Sequence, residues 1–558
     1  MKRLFPTTLL LLLLSVCLSA QDGSSLRERV YLATDREVYV AGDAVWLSAY
    51  CVDASTGRLS AFSKTAYVEL HSAQGLAGTA KIALDGGRGA GRLFLSGTLP
   101  TGNYRMLAYT ALGAAEPGFD SLTGVRTLSV FNTLSAERIP DGVRVVGQVP
   151  AAQGYPTAGS LELSAESGRI TVANHGREAV SFSLAVRHAD GIPAPPGDRM
   201  ADFIRGVRSL PAGAGAVPGR IPEYEGEIIW TRVSGADARL VRSVRGKVAF
   251  LSSPGDGENV YTATIADDGT ATFYTANIYG EQEMFLEIED LSREQVCHLE
   301  VVSPFADFPV GEIPQLALCP DYAPALRLRS LGMQLGRNFD ADTLLDALPV
   351  RIHTVLNGQE RKSYVLDDYR RFPVMEELFV EFIPELRVRR IGERPELQVR
   401  MRDVTGNLYF PQGTALVMLD GIPVSDHGKI LSYDPLLVRR IDIDPSSVFL
   451  GIRRFSGVVN FVTYKGTLPS MQFEDNVRIV DFQGCSLPLA FTGSALDENY
   501  PDYRQTLLWQ PLLKLEPGQQ LELNCKMPAY SGAFEAVAEG LSDSGEAVST
   551  KTAVRTDR

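Results

Sequence analysis

Ala415-Leu-Val-Met-Leu-Asp-Gly-Ile-Pro-Val424 sets an unbroken apolar run against an Asp-Gly pair. The run reads as a buried strand and Asp420-Gly421 as its hairpin turn, because both residue types tolerate positive φ. Downstream, Asp434-Pro-Leu-Leu-Val-Arg-Arg-Ile-Asp-Ile443 reads as a short helical turn entering a second strand. Gly457-Val-Val-Asn-Phe-Val-Thr-Tyr-Lys465 supplies a third. Upstream, Phe372-Pro-Val-Met-Glu-Glu-Leu-Phe-Val-Glu-Phe-Ile383 has Pro at its start, acids in its first turn, and Met375, Leu378, Phe379 and Phe382 on one face. Those are the marks of an amphipathic helix. Leu386–Ile391 and Glu396–Met401 alternate as two further strands. Together these elements predict a small α+β domain over residues 363–466.

This order of elements, with its "VMLDGIPV" and "GVVNFVTYKG" strands, resembles the plug domain of TonB-dependent outer-membrane receptors. The resemblance implies the plug fold and, by analogy, an outer-membrane barrel or transport assembly as partner. A receptor's own barrel has 22 strands of about ten residues each, plus loops. Only 92 residues follow Gly466, and they do not alternate over such lengths. The chain is therefore expected not to build a receptor barrel.

The first twenty residues read as a secretory signal. Lys2 and Arg3 are basic, Leu9 to Leu18 is apolar, and Leu18-Ser-Ala20 closes the segment. The apolar run is short for a bilayer span, and no later window has the length and apolarity of one. Acylation at Cys17 is the rival reading, weakened by the bulky Val16 before it. Loss of Lys2 and Arg3 would deepen a formal charge already at −13. That sign argues against nucleic acid or anionic lipid as a main partner. Export to the periplasm or the outer membrane is the expected address.

The 51 Gly, 32 Pro and recurring alternating strands predict a mainly β, multi-domain chain of tandem sandwiches plus the α+β domain. "TDREVYVAGDAVWLSAY…LPTGNYRMLAYT" resembles the second macroglobulin domain of the α2-macroglobulin superfamily, over residues 28–132. Residues 140–222 read as a degenerate sandwich and a Pro/Gly-rich linker, with a short helix around Met200 to Gly206. Residues 223–303 alternate cleanly around the Asp268-Gly269 turn and look like a carboxypeptidase-regulatory-like sandwich. Residues 304–362 read as a connector with a helix near Asp340 to Leu348. Residues 467–558 read as a last small sandwich, partnered by strands from around Gln472 to Phe482. The whole series, with "LDDYRRFPVMEELFVEF…LRVRR" and "PDYR…W", resembles a Bacteroidetes-type family of exported proteins.

Chemistry is scarce. Cys51, Cys297, Cys319, Cys485 and Cys525 are widely spaced and read as buried thiols, with Cys485–Cys525 or Cys297–Cys319 bridges as the alternative. The macroglobulin thioester needs Cys-Gly-Glu-Gln, but Tyr279 precedes Gly280-Glu-Gln282, so that chemistry is excluded. His71, His175, His188, His298, His353 and His427 have no metal-ligand spacing. Asp367-Asp368 and Glu376-Glu377 could offer carboxylate oxygens to Ca²⁺, but turn and helix-terminus roles account for them. Arg387/Arg389 and Arg439/Arg440 read as a basic edge or as solvated strand faces. No catalytic, cofactor-binding or metal-binding residue is assigned. The expectation is a non-enzymatic envelope protein that docks on a partner through its plug-like domain, by β-augmentation or by its helix face. A surface adhesin or glycan- or cell-wall-binding protein, and a hydrolase whose site leaves no motif, are the alternatives.

Overall fold

The computed structural model describes residues 26–555 except 117–118, 120–123, 137–138, 151–153, 211–220, 235–237, 256–258, 290, 292–294, 339–344, 352, 392–393, 474–475, 494–498, 500 and 529. The expected signal segment, with Cys17, lies outside the described residues. The fold is mainly β, as the alternation predicts. It divides into two compact units. One comprises the chain up to Tyr224, Phe305–Pro349 and the chain from Ser486; the other comprises Glu225–Pro304 and Val350–Cys485.

In the first unit, Glu28–Thr34, Ala44–Asp53 and Arg88–Phe94 form one sheet. Val38–Val40, Arg126–Phe131, Gly102–Tyr109, Thr65–Ser72 and Gly75–Ala83 form a second, in that order. Leu32, Leu47, Val68, Ile82, Leu93, Met106 and Leu128 fill the space between them. A second sandwich is assembled from distant segments. Val180–His188 lies between Thr506–Leu515 and Phe534–Ser542, with Ala547–Val554 outside. Facing it, Arg169–Asn174 lies between Leu161–Glu166 and Gln520–Asn524 and pairs with both. Residues expected to form two sandwiches, 140–222 and 467–558, thus share both sheets. Val180–His188 is buried over all but its last residue, so it needs a strand on each side. Alternation announces that need without saying which strand meets it.

Helix Met200–Ser209, foreseen as a short helix, packs Met200, Phe203, Ile204 and Val207 against Tyr31, Tyr50 and Leu541. It thereby joins the two sandwiches. Their junction also holds a charge network. Glu37, 7 % exposed, accepts from Arg187 (2.7 Å) and Arg199 (2.5 Å), with Arg126 at 3.6 Å. Burial pushes the Glu37 carboxyl up, but the guanidiniums of Arg187, Arg199 and Arg126 outweigh it and hold the group far below the carboxylate range. Glu539 accepts from the Tyr31 hydroxyl (2.6 Å) and the Met200 N–H (3.0 Å). The connector's helix is Ala323–Asn338, earlier than the expected 340–348. Residues 339–344 lie outside the described set, and Asp346–Ala347 is a short strand pairing with Leu489–Ala490.

In the second unit, Thr270–Tyr274, Ile228–Ser234 and His298–Val301 make one sheet. Val260–Thr264, Val248–Ser252 and Glu281–Ile288 make the other, and Val477–Gln483 adds a fourth strand outside Glu281–Ile288. Val480 and Phe482 enter this core beside Met284 and Leu286. The strand expected to partner the last sandwich therefore completes the sandwich of residues 223–303. Its apolar alternation satisfies either host, and only the open flank of Glu281–Ile288 decides between them.

The α+β part has a five-stranded sheet ordered Lys362–Val365, Val438–Leu450, Arg453–Thr463, Leu416–Leu419 and Ile422–Pro423. Leu416–Leu419 runs parallel to Arg453–Thr463; the other pairings are antiparallel. Val417, Leu419, Ile441, Ile443 and Phe461 face helix Met375–Phe382 and the hairpin Leu386–Ile391/Arg394–Val399. Leu416, Met418, Val458 and Phe455 face Val248, Phe250 and Val260. Burial on both faces is why the 415–419 run is apolar without interruption.

Candidate partner-binding surface

Among the described strands, Lys362–Val365 is an end strand of its sheet, paired to Val438–Leu450. Lys362 and Tyr364 project to the same side and both donate to Glu385, each at 2.5 Å. Burial raises the Glu385 carboxyl, yet those two donors outweigh it and hold it below its ordinary range. From this edge an aromatic series continues. Tyr369 lies 6.3 Å from Tyr364 and stacks flat on Phe382 at 4.3 Å, and Phe372 sits 6.3 Å from Phe382. Arg371 donates to the carbonyls of Pro435 (2.8 Å) and Val438 (2.9 Å), which ties this segment to the turn Pro435–Leu437. The Tyr464 hydroxyl donates to Asp367.

Helix Met375–Phe382 buries Met375, Leu378 and Phe379 at i, i+3 and i+4. On the same helix Val380 is 83 % exposed, and Val374, Tyr369, Leu436 and Tyr464 of the same module are exposed as well. Of 28 exposed large hydrophobic side chains among the described residues, 11 fall between 362 and 464. Less than a fifth of the chain carries them, which marks this module as the most apolar-surfaced.

The residues weighed from sequence take these places. Asp367 lies 3.6 Å from Arg371, and Glu376 pairs with Arg390 at 2.7 Å, so both face cations. Asp420 does more than turn the chain. Its φ is +47°, and its buried carboxylate accepts from the Thr463 N–H (2.6 Å), the Thr463 hydroxyl (2.7 Å) and the Leu468 N–H (2.8 Å). Gly421 follows at φ +84°, and a Cβ there would stand 2.7 Å from the Gly255 carbonyl oxygen. The arginine pairs do not form one edge. Arg387 lies over Phe410 at 4.1 Å and binds Gln398, Arg389 stands opposite Glu396, and Arg440 binds Asp442 at 2.8 Å beside an exposed Arg439.

All five cysteines from Cys51 to Cys525 are buried and free, so neither weighed bridge is formed. Tyr279-Gly280 precedes the strand Glu281–Ile288, which takes up Glu281 and Gln282. The histidines are dispersed. His71 and His175 each contact a carboxylate at 2.7 Å, Glu69 and Glu162 respectively, and His298 lies 3.5 Å from Glu300. His188 bonds Gln505, and His353 stacks on Tyr261. No group of three or more His, Cys, Asp or Glu able to hold a metal occurs among the described residues. None of their helices is long and apolar enough to cross a membrane.

His427 carries information the sequence did not offer. It begins the helix His427–Leu431, is buried, and accepts the Leu397 N–H on Nδ1 at 2.9 Å. Burial lowers its pKa from 6.5 to about 4, against the opposing charge of Asp426. A histidine depressed on folding contributes stability that is complete above its unfolded pKa and is lost as pH falls through 6.5 towards 4. Asn in its place keeps an acceptor for Leu397 and removes the titration. Between pH 7 and pH 5 the wild type is expected to lose about 2 kcal/mol more than His427→Asn, read by urea denaturation of the second unit.

No family model matches the chain, and no curated protein matches it. Among solved structures it is similar to trypsin-activated alpha-2-macroglobulin from Escherichia coli, at 10% identity and TM-score 0.24, over 96% of this chain and 42% of that one. It is also similar to the native conformation of E. coli alpha-2-macroglobulin, at 10% identity and TM-score 0.23, over 95% and 40%. The E. coli adhesin FdeC aligns at 15% identity and TM-score 0.15, over 48% and 62%. The chain thus spans about two fifths of the macroglobulin structures, and at these TM-scores the similarity gives no residue a role.

Proposed function

We propose that this chain is a non-enzymatic, exported component of the cell envelope that docks on an outer-membrane barrel or transport assembly through its plug-like α+β module. The observation that supports this reading is the exposed apolar surface on that module, beside the end strand Lys362–Val365. An open strand edge next to aromatic and aliphatic side chains suits β-augmentation, in which main-chain bonds supply affinity and neighbouring side chains supply choice. The plug-like order of elements read from the sequence points the same way.

The test is a mild-detergent pull-down of the tagged chain from its own envelope, with mass spectrometry of what accompanies it. A barrel in stoichiometric amount is expected, and Val380→Asp with Leu436→Asp should reduce it at least tenfold. Both side chains are more than half exposed, so the fold tolerates the change. If no barrel is enriched, the docking reading fails. Binding to polysaccharide would then favour an adhesin, and turnover of a glycan or peptide substrate a hydrolase.

A further inference from the structure

The second unit holds a groove of about 1080 Å³ between the ends of its sandwich strands and the α+β module. That is slightly larger than the usual small-ligand cleft. Four carboxylates line it: Glu287 and Glu289 from the sandwich, Glu396 from the hairpin and Asp426 from the cap of the His427 helix. The cations in its wall are Lys429 and Arg453, and Arg453 already pairs with Glu289. The lining is therefore net negative. Beside the carboxylates lies an apolar wall in which Phe285 and Phe473 pack at 5.2 Å with planes tilted by 48°, next to Met471 and Val424.

We infer that this groove binds a peptide segment of a partner protein in which Lys or Arg alternates with apolar side chains. Charge complementarity selects the sign. Carboxylates beside low-dielectric walls attract cations and reject anionic ligands. The apolar wall adds burial that a simple cation would not use. The two rings pack on each other at a tilt instead of presenting one flat platform, which fits aliphatic or aromatic side chains better than a sugar face. This inference does not rest on the barrel-docking reading, since the groove's lining includes neither Val380 nor Leu436.

The test is a selection of random 12-residue peptides displayed on ribosomes against the immobilised full chain. Enrichment of sequences alternating Lys or Arg with Leu, Phe or Met is expected. A selected peptide, measured by fluorescence polarisation, should weaken at least tenfold with Glu287→Lys plus Glu396→Lys, and weaken on raising salt from 50 to 300 mM. Phe473→Ala, a change at a side chain already 36 % exposed, should weaken it severalfold and serves if the double variant misfolds. Glu162→Lys, a change in the first unit, should leave it unchanged. Failure to enrich any peptide, enrichment of acidic or neutral sequences, full affinity in both groove variants, or displacement by a neutral oligosaccharide would each overturn the assignment.

Discussion

Asp420→Ala is expected to destabilise the second unit by about 3–5 kcal/mol, the largest effect of any single substitution proposed for that unit. Three donors converge on this carboxylate, two from Thr463 and one from Leu468. Truncation leaves buried N–H groups without partners, which costs more than the net worth of the bonds. Backbone adds to this, because φ +47° at position 420 suits Asp or Asn better than Ala. Asp420→Asn keeps the conformational preference and one acceptor, but turns its amide donors towards groups that also donate; about half the loss is expected. Trp230 is the one tryptophan of the second unit, so its fluorescence in urea reads the change directly.

In the first unit, Glu37→Leu should cost about 3–5 kcal/mol, because it strands arginines inside the junction of the two sandwiches. Arg187 retains Glu535 at 2.8 Å, whereas Arg199 loses the carboxylate to which it donates at 2.5 Å. The same residue predicts an acid limb. Its folded carboxyl is held far below the ordinary 4.5, so the stability it contributes is complete above that value and drains as pH falls beneath it. Glu37→Gln should flatten that limb relative to wild type. A Trp230→Phe background leaves Trp46 and Trp509 to report the first unit alone.

The local elements were legible because each obeys a short-range rule. The 415–424 run, its Asp-Gly turn, the Pro-led helix and the strand at 457–465 all appear where periodicity and turn chemistry place them. What the sequence hid is pairing over distance. Val477–Gln483 and Val180–His188 alternate in ways compatible with several hosts, and nothing local distinguishes a neighbour 20 residues away from one at 300. Site features followed the same division. Asp420 was visible as a turn residue, but its reach to Thr463 and Leu468 depends on Arg453–Thr463 lying beside it. His427 looked like any scattered histidine until burial and the Leu397 N–H gave it a role. The acidic groove combines Glu287 with Glu396, residues more than a hundred positions apart, and no spacing rule joins them.

The placement of Val477–Gln483 outside Glu281–Ile288 has a consequence for how the chain comes into being. A ribosome or export channel delivers Glu281–Ile288 first, and about 190 further residues must follow before the strand that closes its flank arrives. Until then a raw sheet margin, with unpaired amides and Met284 and Leu286 beneath it, stands open to any passing strand. The first unit repeats the problem on a longer scale, since Val180–His188 waits for Thr506–Leu515 and Phe534–Ser542. Nested brackets of this kind make maturation a race between late closure and misjoining. A chain so wired should ripen slowly, resist stepwise assembly from its amino end, and depend on being held open until its last strands emerge.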